Sequence, residues 1–491
     1  MSPARNQNRD IPLQISPERH AYNRIIIEQK QDVSKREVAR IVIKEAQGNM
    51  IGDGRRGGGP AAADRISGLS DDLLHSILLR LNSTPEAART SVLSRRWRHV
   101  WAHLPELSLR YHSDPSYPHS CKHAPRAHDR VHGALAAYAG TAIQRLEISI
   151  PDGQPDFLAE RASLWLRFAS RRLAGELWLD LHRRQPDAGD EIVLPVCGRA
   201  TALSFHFSSH ALRFRRPCSG GEEFAALASV RILGAHMDSD ELGGVLSSRC
   251  PSLKELTLRR ITLVGDPACL SICSGSLEQL DIEIGSRLPP QSSTRCPRHY
   301  IAEAGRHLRR LEIWTTSSAL MQRFNIVDEL SLTVHAPQGV QGYNRFLEDT
   351  YTFPKCEVLA VRFSVGEHAF KPAMLRLLRK CAGIKKLVVR SLGSDRIHPC
   401  ELPICLCSQP ESCRTDNIVL DSLEEVEVAS NGKALGRKAE LVKLLCECSS
   451  AFGKTVSITL LEGRRSHYNM CKHICRLHPP NDKVRIIVQN K

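Results

Sequence analysis

Short groups of apolar residues recur along the chain beyond residue 140, in the pattern apolar-x-x-apolar-x-apolar. Alternating apolar positions over so few residues predict a short strand with one buried face. The central residues of successive groups lie 19 to 39 positions apart, and most intervals fall between 24 and 31. This regularity separates the groups from chance matches. The groups are centred on Leu146, Leu177, Leu203, Val230, Leu256, Leu280, Leu311, Leu330, Leu359, Leu387 and Val426.

The interval is close to the period of leucine-rich repeats, in which about 20–29 residues form one strand and a less regular return. The clearest units read PSLKELTL, GSLEQLDI and RHLRRLEI. The usual repeat Asn is missing from most units. We therefore expect an irregular solenoid with a parallel sheet.

A dense helical pattern precedes the repeats, between Asp64 and about Leu109. Ser70 is the predicted N-cap of a first helix, with acidic residues in the first turn and then a broad apolar stripe. Thr84 and Pro85 are predicted to cap and begin a second helix. Ser94 is the predicted cap of a third, which stops before Pro105. Three helices in about 45 residues bury little core alone, so we expect them to need a partner.

These residues resemble an F-box of the plant type found in F-box/leucine-rich-repeat proteins. The resemblance is carried by Leu69 before an acidic-then-apolar helix start, by Ile77-Leu78, and by VLSRRWR at residues 92–98. The family usually has Pro after the first Leu, where this chain has Ser70, which is also a competent helix cap.

The resemblance implies that residues 64–109 dock onto a Skp-type adaptor, and through it onto a cullin scaffold that carries the ubiquitin-conjugating machinery. It also implies that Arg95, Arg96 and Arg98 are available to an acidic rim of the adaptor. The adaptor-binding candidates carried over by position are Leu69, Ser70, Leu73, Leu74, Ile77, Leu78, Val92, Leu93 and Trp97.

The C-terminal segment has a different pattern of apolar residues, in which strands alternate with helices. It resembles the FBD region that closes many plant F-box/leucine-rich-repeat proteins. SLEEVEVAS predicts a strand, RKAELVKLLCECSSAF a helix, and KTVSITLL a second strand. The helix should turn Leu441, Leu444 and Leu445 inward. A helix through Met470 and a strand KVRIIVQ should follow. The expected role of this segment is to cap the last repeat.

The expected fold class is therefore α/β. A short three-helix F-box at residues 64–110 is followed by an irregular leucine-rich-repeat solenoid at 140–420 and a C-terminal α/β cap at 421–491. Residues 1–63 contain the Gly-rich stretch GDGRRGGGP and are predicted to be a disordered tail and linker.

Composition excludes several classes of protein. Hydrophobic residues make up 42% of the chain and charged residues 25%, as in folded domains. The chain has no run of 18 apolar residues that would predict a membrane-spanning helix. Its first residues, MSPARNQNRD, lack the apolar core of a secretory signal. The 17 cysteines, an odd number, favour reduced thiols and a cytoplasmic or nuclear location. The net charge of +15 is interpreted as a solvated basic surface, because aromatic residues are only 5% and basic runs are short.

The sequence contains none of the phosphate-binding, zinc-protease, hydrolase or kinase motifs. A His-rich stretch from Tyr111 to Arg130, with His112, His119, His123 and His128, is predicted to be a solvated loop. His398, Cys400, Cys405, Cys407 and Cys413 are the sharpest metal candidates, but Cys405 and Cys407 are too close together for the usual zinc loop. Cys471, His473 and Cys475 lie on a helical pattern. No metal and no cofactor is predicted.

The hypothesis that follows is a non-catalytic substrate-recognition subunit of an SCF-type ubiquitin ligase, which binds an unknown protein target through its repeats. The alternative is a basic repeat scaffold that associates with nucleic acid and assembles no ubiquitin ligase. Only the net charge and the pI near 9.2 support the alternative.

Overall fold

The structure is a computed structural model of the 491-residue chain. It describes residues 69–81, 83–92, 96–111, 126–150, 159–181, 191–208, 210–215, 223–265, 270–284, 308–313, 324–334, 344, 346–363, 370–392, 414–429, 435–462 and 482–490. The predicted tail at 1–63 and the metal candidates at 398–413 and 471–475 lie outside these residues. The chain divides into two compact units, Met1–His112 with Pro118–Ser149, and Ser113–Tyr117 with Ile150–Lys491.

The first unit contains four helices and two strands among its described residues. They are α1 (Asp71–Leu79), α2 (Thr84–Arg89), α3 (Trp97–Val100), β1 (Glu106–Arg110), α4 (Ala127–Ala137) and β2 (Ile143–Ile150). Single 3-10 turns follow α2 and α3. β1 and β2 are parallel, with Leu107 opposite Leu146. Helices α1, α2 and α3 lie within the segment for which three helices are predicted, and the 3-10 turn after α3 ends at His103, before Pro105. The predicted cap of the third helix, Ser94, lies outside the described residues.

Helix α4 corrects the loop prediction for the His-rich stretch. His112, His119 and His123 lie outside the described residues, but His128 is in the first turn of α4 and only 1% exposed. His128, Val131 and Leu135 share the i, i+3, i+7 spacing of a buried helix face. That signal is readable in the sequence.

The second unit consists of a parallel sheet with helices between some of its strands. Its helices are α5 (Ala159–Arg172), α6 (Ser239–Ser248), α7 (Phe370–Lys380) and α8 (Leu435–Glu447). Its strands are β3 (Leu173–Leu181), β4 (Glu191–Leu194), β5 (Ala202–Phe207), β6 (Ala211–Phe214), β7 (Ser229–Leu233), β8 (His236–Asp238), β9 (Glu255–Val264), β10 (Gln279–Ile284), β11 (Arg310–Ile313), β12 (Ile326–Val334), β13 (Lys355–Phe363), β14 (Lys386–Leu392), β15 (Glu425–Val428), β16 (Val456–Glu462) and β17 (Val484–Asn490). None of the helices in the described part of the chain is long and apolar enough to span a membrane.

The strands of the sheet follow one another in chain order and share one register. β3, β5, β7 and then β9 through β17 pair in parallel, each with the next. The short strands β4, β6 and β8 form a second parallel row that joins the end of β9. The central apolar residues of the predicted groups lie opposite one another along the whole row, from Leu177 against Leu203 to Leu387 against Val426. The strand prediction is thus confirmed at all these positions.

The same register continues through the last strands. Val426 lies opposite Ile458 in β16, and Ile458 lies opposite Ile486 in β17. Helix α8 between β15 and β16 buries Leu441, Leu444 and Leu445 as predicted. The segment predicted as a cap therefore extends the sheet, and the helix between β15 and β16 contributes buried residues of its own.

Candidate adaptor interface

The first helix of the N-terminal unit begins as its sequence predicts. Ser70 is the N-cap, and its hydroxyl accepts a hydrogen bond of 3.4 Å from the N–H of Leu73. Asp71 and Asp72 occupy the first turn, where the positive end of the helix dipole favours carboxylates. This start fixes which side chains of α1 point into the domain.

The second helix begins one residue earlier than predicted. Ser83, not Thr84, is the N-cap, and its hydroxyl accepts from the N–H of Glu86 at 3.4 Å. Thr84 is the first helical residue, and its Oγ1 accepts from the N–H of Ser108 at 2.8 Å. Two neighbouring hydroxyl residues could each have capped this helix. The Thr84 hydroxyl is engaged instead by the N–H of Ser108, 24 positions away, which leaves the cap position to Ser83.

Two polar contacts tie α1 to opposite ends of α3. The guanidinium Nε of Arg96, just before α3, donates to Asp71 Oδ1 at 2.9 Å. The ring Nε2 of His75 lies 3.0 Å from the carbonyl oxygen of Val100. One of the three arginines expected at an acidic rim is therefore engaged by the domain's own carboxylate. Arg95 and the side chain of Arg98 lie outside the described residues.

Burial divides the predicted adaptor-binding residues into two sets. Leu74, Leu78 and Trp97 are 0%, 1% and 2% exposed and form the core of the three-helix segment. Leu73 and Val92 are 52% and 68% exposed. The remaining candidates are half-buried (Leu69, Ile77), exposed (Ser70), or outside the described residues (Leu93).

This division follows from helix geometry. Leu74 and Leu78 are four residues apart and share the face that packs inward, while Leu73 and Ile77 share the neighbouring face. The apolar stripe is too broad for so small a core to cover completely. The sequence identified the apolar residues of the stripe, but only the packing separates those inside the domain from those a partner can reach.

Residues 66–109 match the family model of the F-box domain. The three-helix segment is thus similar to F-box domains, and this match is the basis for calling it the F-box domain. Among the described residues, no group of three or more His, Cys, Asp or Glu side chains is placed to hold a metal ion.

Curated plant proteins extend the resemblance beyond the F-box domain. The chain is 30% identical over 226 residues to an F-box/FBD/LRR-repeat protein of Arabidopsis thaliana, which covers 45% of this chain and 47% of the relative. It is 30% identical over 198 residues to an F-box/LRR-repeat protein of the same plant, covering 40% of this chain and 38% of the relative. A third, F-box/LRR-repeat protein 25, is 50% identical over 50 residues, or 10% of this chain and 19% of the relative. The chain thus spans less than half the length of these relatives, and the predicted resemblance to plant F-box/leucine-rich-repeat proteins is confirmed.

Proposed function

We propose that this chain is the substrate-recognition subunit of an SCF-type ubiquitin ligase. The F-box domain binds a Skp-type adaptor, the adaptor joins it to a cullin scaffold, and the repeats bind a protein target. The chain performs no chemistry of its own. It accelerates ubiquitin transfer by holding the target beside the conjugating machinery, which converts an encounter between separate molecules into a reaction within one complex.

The observation that carries the proposal is an F-box domain with large apolar side chains left exposed. Leu73 and Val92 are more than half exposed in the chain by itself. An adaptor that covered them would bury apolar anchors against its own helices, which is how a few residues supply most of an interface's binding free energy. Ile77 and Leu69 are half-buried and can complete such a contact.

Leu74, Leu78 and Trp97 have a different part in the proposal. Each is almost completely buried within the domain, so each supports the interface by holding α1 and α3 in position. Replacing one of them should weaken adaptor binding only as far as it unfolds or loosens the F-box domain.

We also assign the parallel row of strands to an irregular leucine-rich-repeat solenoid, closed by an FBD-like cap at residues 421–491. The support is the shared register, in which each apolar-x-x-apolar-x-apolar group adds one strand next to the previous one. Relatives of the chain carry the names LRR and FBD. In a sheet of this kind one face packs on the core, and the other is available to a target.

The direct test is co-expression of the full chain with a Skp-type adaptor, followed by size-exclusion chromatography. A stoichiometric complex is expected for the full chain and none after deletion of residues 64–109. Circular dichroism of the deletion variant should still show the sheet of the second unit. Absence of a complex between the intact chain and the adaptor would contradict the proposal.

The alternative, a basic scaffold for nucleic acid, makes the opposite prediction about salt. Its support is the net charge of +15. Binding to duplex DNA should weaken steeply as salt is raised, because phosphate contacts release counterions. An adaptor complex held by apolar anchors should persist at the same salt concentration, so one titration separates the two functions.

A further inference from the structure

The sheet face of the second unit carries a network of charged residues on strands β9 to β14. Its centre is Glu312 on β11, a carboxylate whose side chain is 7% exposed. Four arginines lie within 4.0 Å of it: Arg259, Arg310, Arg362 and Arg390. Two further carboxylates belong to the network. Asp281 accepts from Arg259 Nε at 2.8 Å, and Glu329 accepts from Arg390 at 2.9 Å.

The charged groups of the network differ in burial. It contains four guanidinium groups and three carboxylates, which leaves one net positive charge. Glu312 and Asp281 are its most buried members, with side chains 7% and 17% exposed. Glu329, Arg362 and Arg390 are 22–23% exposed, and Arg259 and Arg310 are the most exposed, at 28% and 37%. An arriving ligand therefore meets the guanidinium groups of Arg259 and Arg310 first.

A depression of about 210 Å³ opens beside this network, across strands β7, β9, β10 and β11. Its lining includes Arg231, Arg259 and Arg310, with the hydrogen-bonding side chains of Thr257 and Gln279 between them. The carboxylates of Glu255, Asp281 and Glu312 also line it, and Glu255 accepts from the Ser229 hydroxyl at 3.3 Å. The floor is formed by the buried residues Leu256 and Leu280.

The size of the depression limits what it can hold. Pockets for drug-sized ligands usually measure about 300–1,000 Å³, so this one suits a side chain better than a separate small molecule. Strands β7 and β11 are three strand spacings apart, which is roughly 14 Å. An extended peptide spaces every second side chain by about 6.6–6.8 Å. Acidic residues four positions apart in such a peptide lie roughly 13 Å apart. They would therefore reach Arg231 on β7 and Arg310 on β11 together.

We propose that this face, defined by Arg231, Arg259 and Arg310, is the docking surface for an extended acidic segment of the target protein. The inference rests on the proposed function, because it specifies what the repeats bind. Carboxylates of the segment accept charge-assisted hydrogen bonds from Arg231 and Arg310, while Asp281 and Glu312 hold Arg259 in position between them. Arg310 can also bind the segment, because the N···O distances of its own ion pairs are long, at 3.3 Å to Glu329 and 3.9 Å to Glu312.

The test uses the full chain and three labelled octapeptides, of alternating Glu and Gly, Gln and Gly, or Lys and Gly, with binding followed by fluorescence anisotropy. Only the Glu peptide should bind saturably. The variant with Arg231→Gln and Arg310→Gln should bind it at least about tenfold more weakly, as expected when charge-assisted hydrogen bonds are lost. Arg309→Gln is the matched control for each single variant, Arg231→Gln or Arg310→Gln, because each removes one positive charge. Arg309 is an exposed neighbour of Arg310 that does not line the depression.

Three results would overturn the inference: no saturable binding of the Glu peptide, equal binding of the Gln peptide, or the same loss with Arg309→Gln as with either single variant. All variants should still co-purify with the Skp-type adaptor, which reports that they are folded. If the peptide does not bind but the adaptor does, only this inference is contradicted. Failure of the intact chain to bind the adaptor sinks the proposed function instead.

Discussion

Thr84 accepts, through its side-chain oxygen, a hydrogen bond of 2.8 Å from the backbone N–H of Ser108. The contact joins helix α2 of the F-box domain to strand β1, which pairs with β2 in the same unit. Thr84 is only 3% exposed, so water cannot easily replace its hydroxyl as an acceptor. The F-box helices are therefore attached to a small parallel sheet by a partly buried hydrogen bond from the backbone to a side chain.

Thr84→Val should lower the free energy of unfolding by about 0.5–1.5 kcal/mol, because it leaves the partly buried N–H of Ser108 without this acceptor at nearly unchanged volume. Thr84→Ser keeps the hydroxyl and should lose clearly less. Urea unfolding followed by circular dichroism measures both. Equal midpoints for the Val and Ser variants would show that the hydroxyl is not what matters at this position.

Ser70→Pro should leave adaptor binding intact or strengthen it. Ser70 has φ −66° and ψ 156°, and proline fixes φ near −65°. The variant loses a side-chain cap worth about 1 kcal/mol but gains roughly 0.4–1 kcal/mol from a stiffer unfolded chain. Ser70→Ala, which loses the cap without that gain, is the control and should be the less stable of the two. A folded Ser70→Pro variant that no longer binds the adaptor would contradict this expectation.

The carboxylate of Glu312 should be more important for stability than an exposed carboxylate in a similar pair. Glu312→Gln leaves several arginines crowded together, and we expect a loss of about 2 kcal/mol, reduced from the value for a fully buried pair because the arginines are partly exposed. Glu357→Gln is the control. Its carboxylate is 61% exposed and 2.7 Å from Lys385, so its loss should stay below about 1 kcal/mol. Equal losses in urea unfolding would contradict this account of the network.

Buried thiols should make the protein less stable at alkaline pH. Burial raises the pKa of Cys197 from 9.0 to about 12 and the pKa of Cys250 likewise to about 12. These thiols ionise first in the unfolded chain, so the stability they contribute is complete below pH 9 and is lost as the pH rises toward 12. Between pH 8 and pH 10 each should account for about 1 kcal/mol of lost stability.

The measurement is urea unfolding of wild type and of the variant with Cys197→Ala and Cys250→Ala at both pH values. Other titrating groups act equally on the two proteins, so the difference in pH dependence isolates the thiols. A variant whose stability falls as steeply as that of wild type would contradict the expected role of these two cysteines.

The strands of this protein could be predicted from sequence because the signal repeats. Each apolar-x-x-apolar-x-apolar group predicts which face of its strand is buried. The shared period then implies that Leu256 and Leu280 are neighbours, although 24 positions separate them. The exact helix cap at Ser83 and the clustering of four arginines around Glu312 could not be predicted in this way. Ser83 and Thr84 are both competent local caps, and the Thr84 hydroxyl instead accepts from the N–H of Ser108, 24 positions away. The arginines around Glu312 come from separate strands. A single sequence carries no periodic signal for either arrangement.

The adaptor interface provides the most decisive prediction, because the proposed function depends on it. Leu73 is 52% exposed and Ile77 is half-buried on the same side of α1, so the F-box core needs neither completely. Truncating an interface anchor typically costs about 2 kcal/mol, so the two together should weaken adaptor binding roughly a thousandfold. Leu73→Ala with Ile77→Ala should therefore abolish co-purification of a Skp-type adaptor.

Two controls separate this effect from unfolding and from a general loss of apolar surface. Leu164→Ala truncates a leucine that is 46% exposed in α5, outside the F-box domain, and should leave adaptor binding unchanged. Leu74 is completely buried, so Leu74→Ala opens a cavity in the core and should lower the free energy of unfolding by about 2–5 kcal/mol, whereas the double variant should lose much less. Because Leu73 and Ile77 lie outside the fully buried core, lost binding in a protein with near-normal unfolding would identify them as contact residues. Undiminished binding would show that the adaptor uses another face of the F-box domain.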